Sequence, residues 1–74
     1  MGSRERIVAS PDILLGKPVI RGTRIAVEDI LRRLAEGMTI DEFLEAYPHL
    51  RREDILSALA YSAKTLAGEE LIVP

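Results

Sequence analysis

The chain has no cysteine, tryptophan, asparagine or glutamine, and a single histidine, His49. Without cysteine no disulfide can staple a small core and no thiolate can hold a metal. One imidazole excludes a histidine-cluster metal centre. No apolar run approaches the ~18 residues needed to cross a bilayer, so no membrane association is expected. Met1, Gly2 and Ser3 are too short and polar a start for a signal peptide and have the look of a cloning scar. The expected compartment is the cytoplasm. Neither sign of charge dominates: ten basic residues face twelve acidic ones, for a net charge of −2. That balance lacks the broad basic footprint of non-specific nucleic-acid binding, although a local basic patch remains open. Catalytic groups are as scarce. There is no thiol and no serine beside a plausible base, His49 follows a proline in a turn, and the carboxylates fall mostly on solvated helix faces. The expectation is a protein without cofactor, metal or enzymatic activity.

What is abundant is apolar surface, 47% of 74 residues. A chain of this length forms one domain and buries only roughly 60% of the surface its unfolded form exposes. Small, apolar and unstapled, it is expected to cover part of that surface with another chain, most simply in a homodimer.

The pattern changes character near Ala26. Before it, short apolar pieces at 6–9 and 12–15 are broken by Ser10, Pro11 and Gly16, which predicts short strands and turns over 6–26. Residues 16–25 read GKPVIRGTRI and gather Lys17, Arg21 and Arg24 with two glycines and a proline. Gly22 and Thr23 suit a two-residue hairpin turn with glycine first. That register sets Ile20 opposite Ile25 and Arg21 opposite Arg24, so two like charges need an anion nearby. Three anions fit: the carboxylate of Asp12, a partner protein's carboxylate, or a nucleic-acid phosphate. The stretch is no nucleotide-binding loop, because its Gly-Lys precedes a strand rather than opening a helix.

After Ala26 the periodicity is helical. Val27, Ile30, Leu31 and Leu34 share one face of a helix over 27–36. Glu28 with Arg32 and Asp29 with Arg33 form acid-first pairs, and Gly37 suits a left-handed cap. Thr39 and Glu42 form a capping box, with Met38 and Phe43 placed as its hydrophobic staple. The second helix turns Ile40, Phe43, Leu44 and Tyr47 inward and stops before Pro48. The third, over 52–66, has two apolar stripes. Ile55, Ala58, Leu59, Ser62 and Leu66 serve the core. Leu56, Ala60, Ala63 and Ala67 either widen that core or let another helix approach closely. Gly68 ends this helix. An acidic and then apolar tail follows: Glu69, Glu70, Leu71, Ile72, Val73 and Pro74. The fold class is therefore mostly α, with an N-terminal hairpin region (6–26), a three-helix unit (27–67) and a tail (68–74). Helices two and three are joined by five residues, close to helix-turn-helix spacing.

The chain resembles the domain-of-unknown-function 433 family of small prokaryotic proteins. The matching features are Ser10-Pro11-Asp12, the block GKPVIRGTRIAV, the pattern ILRRLAEGMTIDEFLEAYPHL and the segment REDILSALAYSAK. The resemblance implies a homeodomain-like or winged-helix-like DNA-binding fold. It also implies the role of an antitoxin in a type II toxin–antitoxin pair, beside a PIN-like ribonuclease toxin. On that reading Lys17, Arg21, Arg24, Arg51, Arg52 and Ser57 would meet operator DNA. Leu56, Ala60, Ala63 and Ala67, with Glu69, Glu70, Leu71, Ile72 and Val73, would meet protein partners, the tail by adding a strand to the toxin's sheet. The alternative is an interaction module with no nucleic-acid role. Two positions depart from the family pattern. Leu15 stands where a glycine is common. Arg51 replaces a threonine that would cap the third helix, a loss of ~1 kcal/mol. Arg51 and Arg52 then either reach DNA or sit on a solvated helix end, where Glu53 and Asp54 would repel a phosphate.

Overall fold

The computed structural model describes residues 6–68. Two short strands, β1 (Ile7–Val8) and β2 (Val19–Ile20), precede three helices: α1 (Val27–Ala35), α2 (Ile40–Ala46) and α3 (Arg52–Gly68). The strands are antiparallel, with Ile7 opposite Ile20 and Val8 opposite Val19.

The sheet is thus closed over a longer distance than the sequence predicts. β2 takes β1 as its partner, whereas the expected arm at 24–26 contributes a single bridge, Val19 to Ala26. The register of that arm is the expected one: the Ile20 N–H donates to the Ile25 carbonyl at 3.0 Å. The tip differs. The turn runs from Ile20 to Thr23, whose N–H donates to the Ile20 carbonyl at 3.0 Å. Gly22 occupies its third position at φ +80°, which a type II turn demands there. The Thr23 hydroxyl completes the reversal: it donates to the Ile20 carbonyl at 2.8 Å and accepts from the Ile25 N–H at 2.9 Å. A side chain takes the place of the backbone bond that a two-residue turn would make.

Residues 12–15 are not a strand. Leu14, Leu15 and Gly16 form one tight turn with φ of 49°, 59° and 87°. Left-handed backbone costs a residue with a side chain roughly 1–2 kcal/mol. A glycine at position 15 would relieve that cost.

The helix ends follow local chemistry closely. α1 stops in a Schellman motif: the Gly37 N–H donates to Leu34 and the Met38 N–H to Arg33, both at 3.0 Å, with Gly37 at φ +107°. On its surface Glu28 meets Arg32 at 3.7 Å as expected, but Asp29 also pairs with Arg32 rather than Arg33. The capping box of α2 is complete, with the Glu42 N–H on Thr39 at 3.0 Å and the Thr39 N–H on Glu42 at 2.9 Å. Phe43 is fully buried in α2 and packs its ring 4.9 Å from that of Tyr47.

One core holds these elements together. Ile7, Ile20, Val27, Ile30, Phe43, Leu50, Ile55 and Ala58 form it, with Leu31, Leu34, Met38 and Leu59 packed at its margin. α3 carries Ser62 on the same stripe without an unsatisfied hydroxyl, because it donates to the Ala58 carbonyl at 2.8 Å. Leu66, the last member of that stripe, is 67% exposed. The helix therefore runs past the core that its first half covers.

Candidate binding site at the hairpin tip and third helix

The turn between α2 and α3 lies against the hairpin tip. Between them opens a groove of about 600 Å³ lined by Ile13, Gly22, Thr23, Arg24, Ile25, Tyr47 and His49. Its floor is apolar, from two isoleucines and a tyrosine ring. Its rim carries the Arg24 guanidinium and the His49 imidazole, both on exposed residues. Thr23 is committed to the turn, which fixes Arg24 next to it. Tyr47 is held from the other side by Phe43 and meets the His49 ring edge-on at 6.5 Å. The site combines an apolar bed with positive charge, which suits an anionic ligand that also has an apolar body.

The six residues considered for nucleic acid are not assembled alike. Arg24 and Arg51 are exposed. Lys17 is paired with Glu28 at 2.9 Å and Arg52 with Asp41 at 2.6 Å, so each must give up an acidic partner before meeting a phosphate. Arg21 is exposed, and its backbone N–H donates to the Arg6 carbonyl at 2.7 Å. Ser57 corrects the expectation: it is 5% exposed and faces the core, so its hydroxyl is not on the surface of α3. Asp12 is also corrected as a counter-ion. Among the described residues no ion pair joins its carboxylate to Arg21 or Arg24, and its backbone N–H donates to the Ser10 hydroxyl at 3.3 Å.

The start of α3 holds a residue whose importance the sequence concealed. Asp54 is only 9% exposed. Its Oδ2 accepts the Arg51 N–H and its Oδ1 accepts from Arg6 Nη1, both at 2.9 Å. This is the returning half of a capping box, formed although Arg51 supplies no hydroxyl for the other half. The signal was the acid three places after the residue preceding the helix. Arginine in the place of serine or threonine hid it.

The second stripe of α3 is on the surface. Leu56 is 49% exposed, and Ala60, Ala63 and Ala67 are all exposed. From Ala60 to Gly68 only Ser62 is partly covered. Glu69, Glu70, Leu71, Ile72 and Val73 lie outside the described residues.

A three-helix unit behind a short antiparallel hairpin, with an exposed apolar helix face and a groove rimmed by Arg24 and His49, defines a small, mostly helical domain. The profile of the family described as "Protein of unknown function (DUF433)" matches residues 7–62, and the chain belongs to that family. It is 42% identical over 71 residues to the uncharacterized protein y4eO of Sinorhizobium fredii, covering 95% of this chain and 32% of that protein. The chain thus spans about a third of the curated relative it matches. It is also similar to the crystal structure of a DUF433 member from Anabaena variabilis, with a TM-score of 0.80 at 30% identity, over 85% of this chain and 62% of that one.

Proposed function

We propose that the chain is a binding protein of the antitoxin type, without catalytic activity, whose third helix is its principal contact with other protein. One observation carries this reading: the distal half of α3 exposes Leu66, Ala60, Ala63 and Ala67 in continuity with Leu56. An apolar surface of this kind, continuous along a helix, marks a contact with protein rather than with phosphate. The partner implied by the family resemblance is a PIN-like ribonuclease. Co-expression of the chain with such a protein encoded beside it is the test. Retention on affinity resin that is lost with Leu66→Asp and Ala63→Glu supports the reading; retention of nothing by the intact chain defeats it.

A second arm of the same function is operator binding. It is favoured by Arg24, His49 and Arg51, exposed residues near the N-terminal end of α3. In a gel shift with the DNA upstream of its own gene, Arg24→Ala with Arg51→Ala is expected to weaken binding and flatten its salt dependence. A chain that shifts no such DNA, alone or with its partner, reduces the function to protein interaction.

A further inference from the structure

The groove between the hairpin tip and the α2–α3 turn has two walls, each closed by its own hydrogen bonds. On one side the Thr23 N–H donates to the Ile20 carbonyl at 3.0 Å, and on the other the Leu50 N–H donates to the Tyr47 carbonyl at 2.9 Å. The Thr23 hydroxyl braces the first wall again, accepting the Ile25 N–H at 2.9 Å. A site shaped in advance spares its ligand the cost of ordering it.

The charge on this groove has no internal answer. Arg6, Lys17, Arg32 and Arg52 each hold an acid, but among the described residues none pairs with Arg24. No acid is among the residues that line the groove. Gly22 lines it with backbone alone, and the N–H groups of Gly22 and Arg24 donate to no other described residue. A guanidinium, an imidazole and backbone N–H groups together are the donors that a carboxylate takes.

The floor sets a second condition. Ile13, Ile25 and Tyr47 are half-buried and no lining residue is fully buried, so the groove is open along its length. A small molecule would leave much of itself in water there, unlike one held in an enclosed pocket. A nucleic-acid duplex offers phosphates but no aliphatic surface to lay on two isoleucines. An extended peptide meets both conditions. Its side chains alternate between faces, so apolar ones can lie on the floor while acidic ones rise to the rim.

We infer that the groove takes an extended acidic and apolar segment of a protein partner. A carboxylate of that segment meets the Arg24 guanidinium beside His49, and its aliphatic or aromatic side chains cover Ile13, Ile25 and the Tyr47 ring. This goes beyond the α3 contact, which uses none of these residues. Arg24 and His49 then serve peptide and operator DNA by turns.

The probe is a blocked pentapeptide, Leu-Glu-Phe-Glu-Leu, titrated into the full chain labelled with nitrogen-15. Saturable shifts of the Ile25, Tyr47 and His49 amides are expected. Glutamine in place of both glutamates, or Arg24→Glu in the chain, is expected to weaken binding about fivefold. A peptide with lysine for glutamate should bind the Arg24→Glu chain better than the parent. Ile13→Ser, or serine at the three apolar peptide positions, is expected to abolish saturation, and an otherwise unchanged spectrum shows that the variant is folded. No saturable shift, equal binding of the glutamine or serine peptide, failure of the charge swap, or shifts confined to α3 overturns the inference. So does duplex DNA that moves the same amides and is weakened as much by Ile13→Ser. Because the probe is a free peptide, its binding stands or falls apart from capture of a PIN-like protein through α3. Operator DNA retained by the peptide-saturated chain removes Arg24 from the operator contact alone.

Discussion

Arg6 and Asp54, 48 positions apart in the chain, are joined by a 2.9 Å ion pair that ties the residue before β1 to the first turn of α3. The carboxylate is nearly buried, and its second oxygen holds the N–H of Arg51. One side chain therefore caps a helix and anchors the sheet to it. Asp54→Ala removes the cap and leaves the Arg6 guanidinium without this partner, for an expected loss of about 2–3 kcal/mol. Asp54→Asn keeps an acceptor and is expected to lose about half as much. Urea unfolding followed by circular dichroism separates the two; equal stability of Asp54→Ala and the parent would show that the bridge contributes nothing.

Leu15 is 94% exposed and held at φ +59°. Its side chain gains almost no burial in exchange for its strained backbone. Leu15→Gly is expected to raise stability by about 0.5–1 kcal/mol, the relief of strain less the greater freedom of glycine in the unfolded chain. A lower thermal midpoint for this variant would contradict the strain.

The capping box of α2 makes a separate prediction. Thr39→Ala removes the acceptor for the Glu42 N–H and is expected to cost about 1 kcal/mol. Thr39→Ser keeps the oxygen and should cost much less. Chemical denaturation of both variants measures the difference.

Phe43 is the largest side chain that is fully buried. Phe43→Ala is expected to cost about 3–5 kcal/mol, much of the stability of so small a domain. Its amide signals should collapse to the narrow dispersion of an unfolded chain. A well-dispersed spectrum would place the core elsewhere.

The legible parts of this protein were those written in adjacent residues. The Thr39–Glu42 box, the Gly37 cap and the stop before Pro48 each need only a few neighbours, and each formed where the spacing predicted. The two stripes of α3 were legible for the same reason, since 3.6 residues per turn assigns faces without reference to any partner. Whether the second stripe also joined the core was not, and neither was Leu50, buried in the connection between α2 and α3.

At the candidate site the boundary between legible and hidden is sharper. Charge and turn residues marked the tip at 16–25, but Asp12 does not answer Arg21 or Arg24, and Ser57 turned inward. Lys17 and Arg52 found acids eleven positions away in each case. The groove itself joins residues from 13 to 49 and has no local signature.

Sequence alone determined the helices, the Gly37 cap of α1, the Thr39–Glu42 box of α2 and the apolar excess, because these follow from hydrogen bonds and periodicity within a turn or two. Tertiary structure alone decided that β1 rather than the 24–26 arm makes the ladder with β2, that Asp54 closes onto Arg6, and that α3 outruns its core. Those outcomes depend on which distant surfaces meet. Burial then discriminates between residues that local pattern leaves equivalent.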